Sequence, residues 1–422
     1  MSLILRGRLR YAAASAAAIL GAIASGRGAA ADPAPPFRDL LAQAQATAPR
    51  LAEARADIAR AEGLARQART IPNPVLGVEV ENFSGTGPFK GMGQSETTAS
   101  VEQTIELGGK RSARIGVGRA DLEAARARAT RVRAEFAFDL AAAYAEAEAA
   151  ERRLQLATQS VALATEDARI AAALVDAGRE ADLRRVQAQT ALQAARAALE
   201  EARAARATAF SNLTALVGSP GPITSIPTSL LDRADQAFTA AAPDPLRSPA
   251  YLAAEAEREA AARRVRVERV RAVPDITASV GVRRSQGDDA TALVAGVSVP
   301  FPLFDRNRGN IGAAQAELNG AEARLNAARL EAEAATRSGM ARVSAAESRL
   351  LAARQGERTA EEAYRLTRLG YEGGKLDLVE LLNAQRALAE ARTQTIDAAV
   401  ERLSAQAGLA RLAGSTPFGD QP

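Results

Sequence analysis

Two glycine–lysine pairs, at residues 109–110 and 374–375, are of the type that could bind a phosphate group. A phosphate-binding loop of the Walker type also needs a glycine five positions before the glycine that precedes its lysine. Thr104 and Leu369 occupy those two positions. The spacing therefore excludes a nucleotide-binding loop at either pair.

The chain has no histidine and no cysteine among its 422 residues, and it has only three methionines. Zinc sites, haem and iron–sulfur clusters of the ordinary types depend on these side chains. A histidine base and a cysteine nucleophile are excluded for the same reason. We therefore predict a protein that is not an enzyme and that has no catalytic residues, no cofactor and no resident metal.

The first residues have the pattern of a secretory signal peptide. Three arginines within the first ten residues precede an apolar run over residues 11–23, and three alanines at 29–31 offer a cleavage site. The run is shorter than the roughly 20 residues of a membrane-spanning helix. We therefore predict a signal peptide over residues 1–31 and an exported mature chain.

Loss of that segment changes the charge of the protein. It removes four arginines and no acidic residue, which leaves fifty basic and fifty acidic residues. A chain of zero formal net charge, without a basic run interleaved with aromatic residues, is not typical of a nucleic-acid-binding protein. We therefore predict no nucleic-acid partner.

The sequence contains an internal duplication. Residues 101–122 align without a gap with residues 297–318, at a constant separation of 196 positions. The same separation relates Gly178 to Gly374 and Gln189 to Gln385. Because glycine and glutamine coincide as well as alanine, shared alanine richness does not explain the match.

Each copy is predicted to contain a helix, two strands and a long helical hairpin. Prolines lie at three of the four junctions between helix and strand, the exception being the one at about residues 107–110, and they are absent from the long helices. The first repeat, 32–217, has a helix at about 37–69, strands at about 75–83 and 95–107, and a hairpin at about 110–217. The second repeat, 249–414, has strands at about 275–284 and 291–303 and a hairpin at about 306–413. A proline-rich linker at 218–248, with the stretch LLDRADQAF as a short surface helix, separates the copies, and 415–422 form a tail.

The long helices exceed the depth of a globular core. A helix over residues 110–175 would extend for roughly 100 Å. Alanine at many positions, with leucine and valine at intervals of three and four, favours helices packed side by side as in a coiled coil. The abundant arginine and glutamate are typical of solvated helix faces.

The strands have one apolar and one polar face, and their length suits a tilted crossing of an outer membrane. Val101 and Ile105 alternate with Glu102 and Thr104 in one of them. Open sheet edges leave backbone groups unsatisfied in hydrocarbon, so four strands must close by oligomerisation. Three copies give twelve strands; two give eight, whose interior is filled by side chains. A channel therefore favours a homotrimer, although four short strands also fit soluble β-hairpins.

The mature chain resembles the TolC-type outer membrane efflux proteins. The resemblance rests on the duplicated plan and on the motifs IPNP, VEQTIELGGKR, VSVPFPLFDRNRGNI and RLGYEGGKLDLVELLNAQRAL. The ELGGKR form is similar to the branch that serves heavy-metal exporters of the resistance–nodulation–division class, of the cobalt–zinc–cadmium and copper–silver type.

The resemblance implies a fold class of α plus transmembrane β: a trimeric twelve-stranded β-barrel continued by a long α-helical barrel. It implies a passive duct in the outer membrane of a Gram-negative bacterium, in contact with outer membrane lipid, with the helices in the periplasm. The implied partners are a periplasmic adaptor (membrane fusion) protein and an inner-membrane resistance–nodulation–division pump.

The two helical turns are the sites at which the resemblance places the adaptor. The implied contact residues are Asp176, Gly178, Asp182, Gly374, Lys375, Leu376, Asp377 and Leu378. Acids that could attract cations are Glu102 and Glu106 inside the barrel and Asp176, Glu372 and Glu380 at a narrow tip. Each of these acids is at least as typical of a solvated surface without a function in transport. The two tips also differ in sequence.

Two alternatives remain at this stage. The same family includes ducts for drugs and small organic molecules, and only the resemblance favours a metal cargo. A periplasmic coiled-coil adaptor would also have long helical hairpins, but it is expected to have a compact β-rich domain beside a single hairpin. Solubility without detergent discriminates between a channel and an adaptor.

Overall fold

The computed structural model describes residues 33–236 and 241–418, so the predicted signal peptide lies outside the described residues. Within these ranges the chain forms seven α-helices and four strands. The helices are α1 (Phe37–Thr47), α2 (Pro49–Gln67), α3 (Lys110–Asp176), α4 (Asp182–Val217), α5 (Pro249–Arg271), α6 (Arg308–Glu372) and α7 (Leu378–Ala413). None of these described helices has an apolar stretch long enough to span a membrane.

The predicted single helix at about 37–69 is wrong, because the chain breaks it at Ala48. This residue is extended, with ψ of 124°. A proline disfavours the helical conformation of the residue before it, and Pro49 itself then starts α2. The proline was visible in the sequence and should have divided the helix.

The chain forms two compact units. One, the tip unit, contains residues 33–48, 140–236 and 346–404; the other, the sheet unit, contains residues 49–139, 241–345 and 405–418. The tip unit includes both turns of the long hairpins, and the sheet unit includes all four described strands.

The strands of the sheet unit form one antiparallel sheet in the order β1-β2-β3-β4. They are β1 (Val75–Glu81), β2 (Glu96–Ile105), β3 (Ile276–Ser285) and β4 (Ala290–Ser298). The sequence predicted longer strands for β1, β2 and β4, and β4 ends five residues before the predicted 303. Pro300 and Pro302 follow its end, and proline has no N–H group to continue a ladder.

The register separates the two faces of the sheet. Val101 of β2 lies opposite Leu76 on one side and Val280 on the other, and Val280 lies opposite Ala295. Residues two positions away on each strand share this apolar face. The other face is polar and has the carboxylates of Glu79, Glu81, Glu96 and Glu102 and the guanidinium of Arg283.

The core of the tip unit fixes the segment between the repeats. Tyr144 of α3 is fully buried, with its ring edge against Phe37 at a centroid distance of 5.9 Å, and its hydroxyl donates to the carbonyl of Thr228 at 3.0 Å. Leu230 and Leu231 are also buried. The expected surface helix is therefore wrong: the segment forms a short 3-10 turn at Leu231–Asp235 that packs into the unit.

Candidate functional site

Each long hairpin reverses at a glycine in the left-handed region. Gly178 has φ of 67° and Gly374 has φ of 68°. At the first turn the N–H of Arg179 donates to the carbonyl of Leu174 at 2.9 Å, and that of Gly178 donates to Val175 at 2.9 Å. These two bonds form a Schellman motif, in which glycine avoids the strain of a Cβ atom.

The second turn repeats this backbone pattern 196 residues later. The N–H of Lys375 donates to the carbonyl of Gly370 at 2.8 Å, and that of Gly374 donates to Tyr371 at 2.9 Å. The next helix begins the same way in both copies, with Arg184 donating to Ala181 and Glu380 donating to Asp377. The duplication seen in the sequence is thus also present in the hydrogen bonds of the tips.

The two tips differ in their side chains. A Cβ atom on Gly370 would lie 2.5 Å from Cδ1 of Leu376, so the glycine allows Leu376 to pack against α6. The first tip has Leu174 and Glu180 at the corresponding positions. The second tip is therefore closed by an apolar contact, and the first has a charged residue at that place.

Leu378 does not face outward as an adaptor contact would require. Its side chain is 2% exposed and packs with Leu381, Leu382, Ala171 and Ala188. This residue anchors the second tip to α3 and α4, so its predicted role is replaced by one in packing. Because the partners come from distant parts of the sequence, the local pattern did not reveal the burial.

The remaining tip candidates are accessible. The side chains of Asp182 and Asp377 are 91% and 74% exposed. Lys375 and both turn glycines are exposed, and Leu376 is 37% exposed. A partner can therefore reach the turn residues of both tips without rearrangement of the core.

Several tip acids have basic partners. Asp176 accepts from Arg185 at 2.6 Å, and Glu372 accepts from Arg368 at 2.9 Å. Glu380 is exposed at the start of α7. Ion pairing reduces the attraction of Asp176 and Glu372 for a passing cation, which favours the solvated-surface interpretation for these two.

Arg184 is a tip residue that the sequence did not single out. Its guanidinium lies 3.7 Å from Glu180 of the first tip and 3.3 Å from Asp377 of the second. It therefore joins the two tips within one chain. The only local signal was a basic residue in the first turn of α4, where the helix dipole disfavours it.

A buried acid lies behind the tips. Asp167 of α3 is 8% exposed and accepts from Nε2 of Gln385 at 2.7 Å. Burial raises the pKa of Asp167 above its ordinary value, and this outweighs the hydrogen bond from Gln385 and the charge of Arg368, which lower it. The charged form is thus disfavoured in the folded protein.

We expect Asp167→Asn to stabilise the tip unit at neutral pH. Because the pKa of Asp167 is higher in the folded than in the unfolded protein, the free energy of unfolding of the wild type rises as the pH falls from the folded pKa to the unfolded pKa. Asparagine does not titrate, so the variant lacks this pH dependence. Glu166→Gln is the control, because hydrogen bonds from Arg169 lower the pKa of the exposed Glu166 and its small contribution has the opposite sign. Thermal unfolding at several pH values measures both slopes, and equal slopes in wild type and Asp167→Asn would contradict the assignment.

A groove lies in the tip unit between the two hairpins. It has a volume of about 660 Å³ and is lined by α3, α4, α6 and α7. Its lining includes the apolar side chains of Leu163 and Ala195 and the amides of Gln187 and Asn383. Such a surface can receive an amphipathic helix.

The strand-to-helix passages lie in the sheet unit. Gly108 has φ of 65°, and a Cβ atom there would lie 2.9 Å from Val273, so this bend requires glycine. Lys110 pairs with Asp275 at 2.8 Å, and the same carboxylate accepts from the N–H of Leu107 at 3.0 Å. These contacts fix the start of α3 against the start of β3.

Of the two acids predicted to line the barrel, only Glu102 is exposed on the polar face of the sheet. The Glu106 side chain is 12% exposed and pairs with both terminal nitrogens of Arg114. Arg114 also donates to the carbonyl of Thr70 at 2.7 Å. Glu106 is therefore part of the passage between β2 and α3, and its predicted lumen role is replaced.

Comparison with known proteins assigns the class. The family described as outer membrane efflux protein matches residues 40–219 and 246–415, and the chain belongs to this family. The crystal structure of the channel CusC shares the fold, with a TM-score of 0.76 over 90% of this chain and 92% of that chain at 18% identity. The protein is thus an outer membrane efflux channel component with the TolC fold.

Two relatives are metal-resistance proteins. The nickel and cobalt resistance protein CnrC of Cupriavidus metallidurans is 44% identical over 282 residues, which are 67% of this chain and 67% of that protein. The cobalt-zinc-cadmium resistance protein CzcC of the same organism is 31% identical over 370 residues, 86% of each chain. This chain is therefore similar to metal-resistance proteins over most of its length.

Proposed function

We propose that this protein is the outer membrane duct of a tripartite resistance–nodulation–division efflux system that exports divalent metal cations. The similarity to CnrC and CzcC carries the cargo assignment. In this proposal an adaptor and an inner-membrane pump supply the substrate and the energy, and the duct conducts passively.

The sheet supports closure by three copies. The described sheet has two unpaired edge strands, β1 and β4. Edges cannot remain open in hydrocarbon, and an interior wide enough for hydrated ions needs more than eight strands. Pairing of β4 with β1 of the next copy around a threefold axis gives twelve strands.

The polar face of the sheet suits cations. Within the four strands it has four carboxylates and one guanidinium. Arg283 pairs with Glu81 at 3.2 Å and with Glu96 at 3.0 Å, so it compensates part of this charge. A lumen lined by this face has a net negative charge, which concentrates cations over anions.

The tips support docking of an adaptor. Lys375 and Asp377 are exposed beside the reversal at Gly374, and the groove in the tip unit lies between the same helices. An adaptor hairpin could contact both surfaces at once. The second tip differs from the first in the apolar contact between Leu376 and Gly370.

We expect the double variant Lys375→Glu, Asp377→Ala to lose most metal resistance and to lose crosslinking to the adaptor. Both side chains are exposed, so folding and assembly should persist, which native electrophoresis of the membrane fraction checks. Arg179→Glu is the matched change at the first tip, 196 residues earlier. Full resistance in the double variant would exclude the second tip as the docking site.

A deletion of the gene tests which cargo the duct exports. Growth of the deletion strain is measured on salts of zinc, cobalt, cadmium, nickel, copper and silver and on several drugs. Sensitivity to one or more metals, restored by the wild-type gene, is expected. Sensitivity to drugs alone would retain the channel and replace the cargo. Ion conduction by the purified assembly in a planar bilayer without nucleotide tests passivity separately.

A further inference from the structure

The helix ends next to the sheet have exposed arginines without acidic partners. Helices α2 and α5 end there, and α3 and α6 begin there. Within the described ranges, seven exposed arginines at these ends form no ion pair with a described carboxylate. We call them the arginine belt: Arg66, Arg69, Arg111, Arg266, Arg269, Arg306 and Arg308.

Contacts within the sheet unit bring these helix ends together. Arg111 donates through Nη2 to the carbonyl of Arg69 at 2.8 Å, which joins the start of α3 to the end of α2. Asn307 donates through Nδ2 to the carbonyl of Glu268 at 2.7 Å, which joins the start of α6 to the end of α5. Helices α3, α5 and α6 also line a common cavity of about 550 Å³. The helix ends that have the belt arginines are therefore neighbours within the sheet unit.

Helix stability does not account for three of these arginines. Arg111, Arg306 and Arg308 lie at N-terminal ends, where the positive end of the helix dipole repels a cation. Neither α3 nor α6 has an acidic residue in its first turn. Helix electrostatics thus do not explain these three arginines, and their exposed guanidinium groups are accessible to an anion outside the chain.

Exposed apolar side chains lie between the belt and the sheet. Phe301 is 85% exposed, Phe304 is 95% exposed, and Ile71 is 64% exposed. They continue from the apolar sheet face, on which Val297 of β4 is 73% exposed. Along the chain from β4 into α6 the order is therefore aliphatic, aromatic, then cationic, which is the order of a membrane interface.

We propose that the arginine belt binds the phosphate groups of anionic phospholipids in the periplasmic leaflet of the outer membrane. In this proposal the helical part lies in the periplasm, so this end of the sheet meets that leaflet. Guanidinium groups bind phosphate with two parallel hydrogen bonds, and the fixed charge of the leaflet adds attraction. The inference rests on the membrane location and is independent of the cargo.

Native mass spectrometry tests this proposal. The purified full-length assembly is placed in mixtures of phosphatidylglycerol and phosphatidylethanolamine, and the spectra show which lipid it retains. We expect wild type to retain phosphatidylglycerol preferentially. The triple variant Arg111→Gln, Arg306→Gln, Arg308→Gln should lose this preference by about a hundredfold, given the attraction per basic residue at an anionic surface. The control is Arg337→Gln, Arg342→Gln, Arg358→Gln, exposed arginines along α6 that also form no described ion pair; it should retain the preference.

Two further measurements decide the result if the glutamine variant does not assemble. The corresponding triple lysine variant keeps the charge and should keep most of the preference. In wild type, added salt should weaken the preference, because exposed charges are screened. Three results would overturn the proposal. They are a glutamine variant that assembles and keeps the wild-type lipid preference, a wild-type preference that salt does not change, and displacement of the lipid by millimolar inorganic phosphate. Metal resistance and conductance are separate readouts, so failure here leaves the proposed function intact.

Discussion

Replacement of Val280 by arginine is expected to prevent stable insertion of the sheet into the outer membrane. Val280 lies near the middle of β3, is 60% exposed, and pairs with Val101 and Ala295 on the apolar face. An arginine facing lipid near the bilayer midplane costs about 2–4 kcal/mol, and a symmetric assembly would have this cost in every copy. The amount of folded assembly in the outer membrane fraction measures the effect.

Val294→Arg is the matched control for this prediction. Val294 is also a valine within a strand, but the register places it opposite Gly281 on the polar face. The glycine leaves room for a longer side chain there, and water can solvate the charge. We expect normal insertion of this variant, so similar behaviour of the two variants would contradict the assignment of the faces.

Most of the fold could be predicted from the sequence, because the patterns that indicate its helices and strands lie within each element. A two-residue alternation marks the strands, and the long helices contain no proline. The separation of 196 residues identifies the second copy in the sequence, and it recurs in the hydrogen bonds of Gly178 and Gly374. The predicted β4 was too long, because it included Pro300 and Pro302, which follow the observed end of the strand.

The side chains of the candidate sites were less predictable because their partners are distant in sequence. Leu378 is buried by Ala171 and Ala188, about two hundred residues away. Glu106 follows a clean alternation, but Arg114 on the next helix removes it from the polar face. Local spacing shows which side chains share a face of one element; it does not show which element will cover that face.

Glu148→Ala is expected to lower the free energy of unfolding by about 3–5 kcal/mol, since it breaks a buried ionic network. The Glu148 carboxylate is 7% exposed and accepts from the N–H groups of Leu230 and Leu231 at 2.7 and 3.0 Å. It also accepts from the hydroxyl of Ser229 at 2.6 Å and from Arg152 at 2.8 Å. Alanine would leave two buried amides unpaired and release the segment between the repeats.

The control is Glu146→Ala, two residues earlier on α3. It shows how much stability is lost when an exposed carboxylate on the same helix is removed. Glu146 is 50% exposed and pairs with Arg153 at 2.7 Å, and an exposed pair contributes at most about 1 kcal/mol. Thermal unfolding of the helices in detergent measures both variants, and trypsin cleavage at Arg233 reports release of the segment. Cleavage should accelerate in Glu148→Ala alone, because the 3-10 turn that contains Arg233 depends on the amides that Glu148 binds. Equal cleavage in the two variants would show that the rest of the network, including Arg402 and the carbonyl of Gln236 at 3.0 Å, is sufficient to hold the segment.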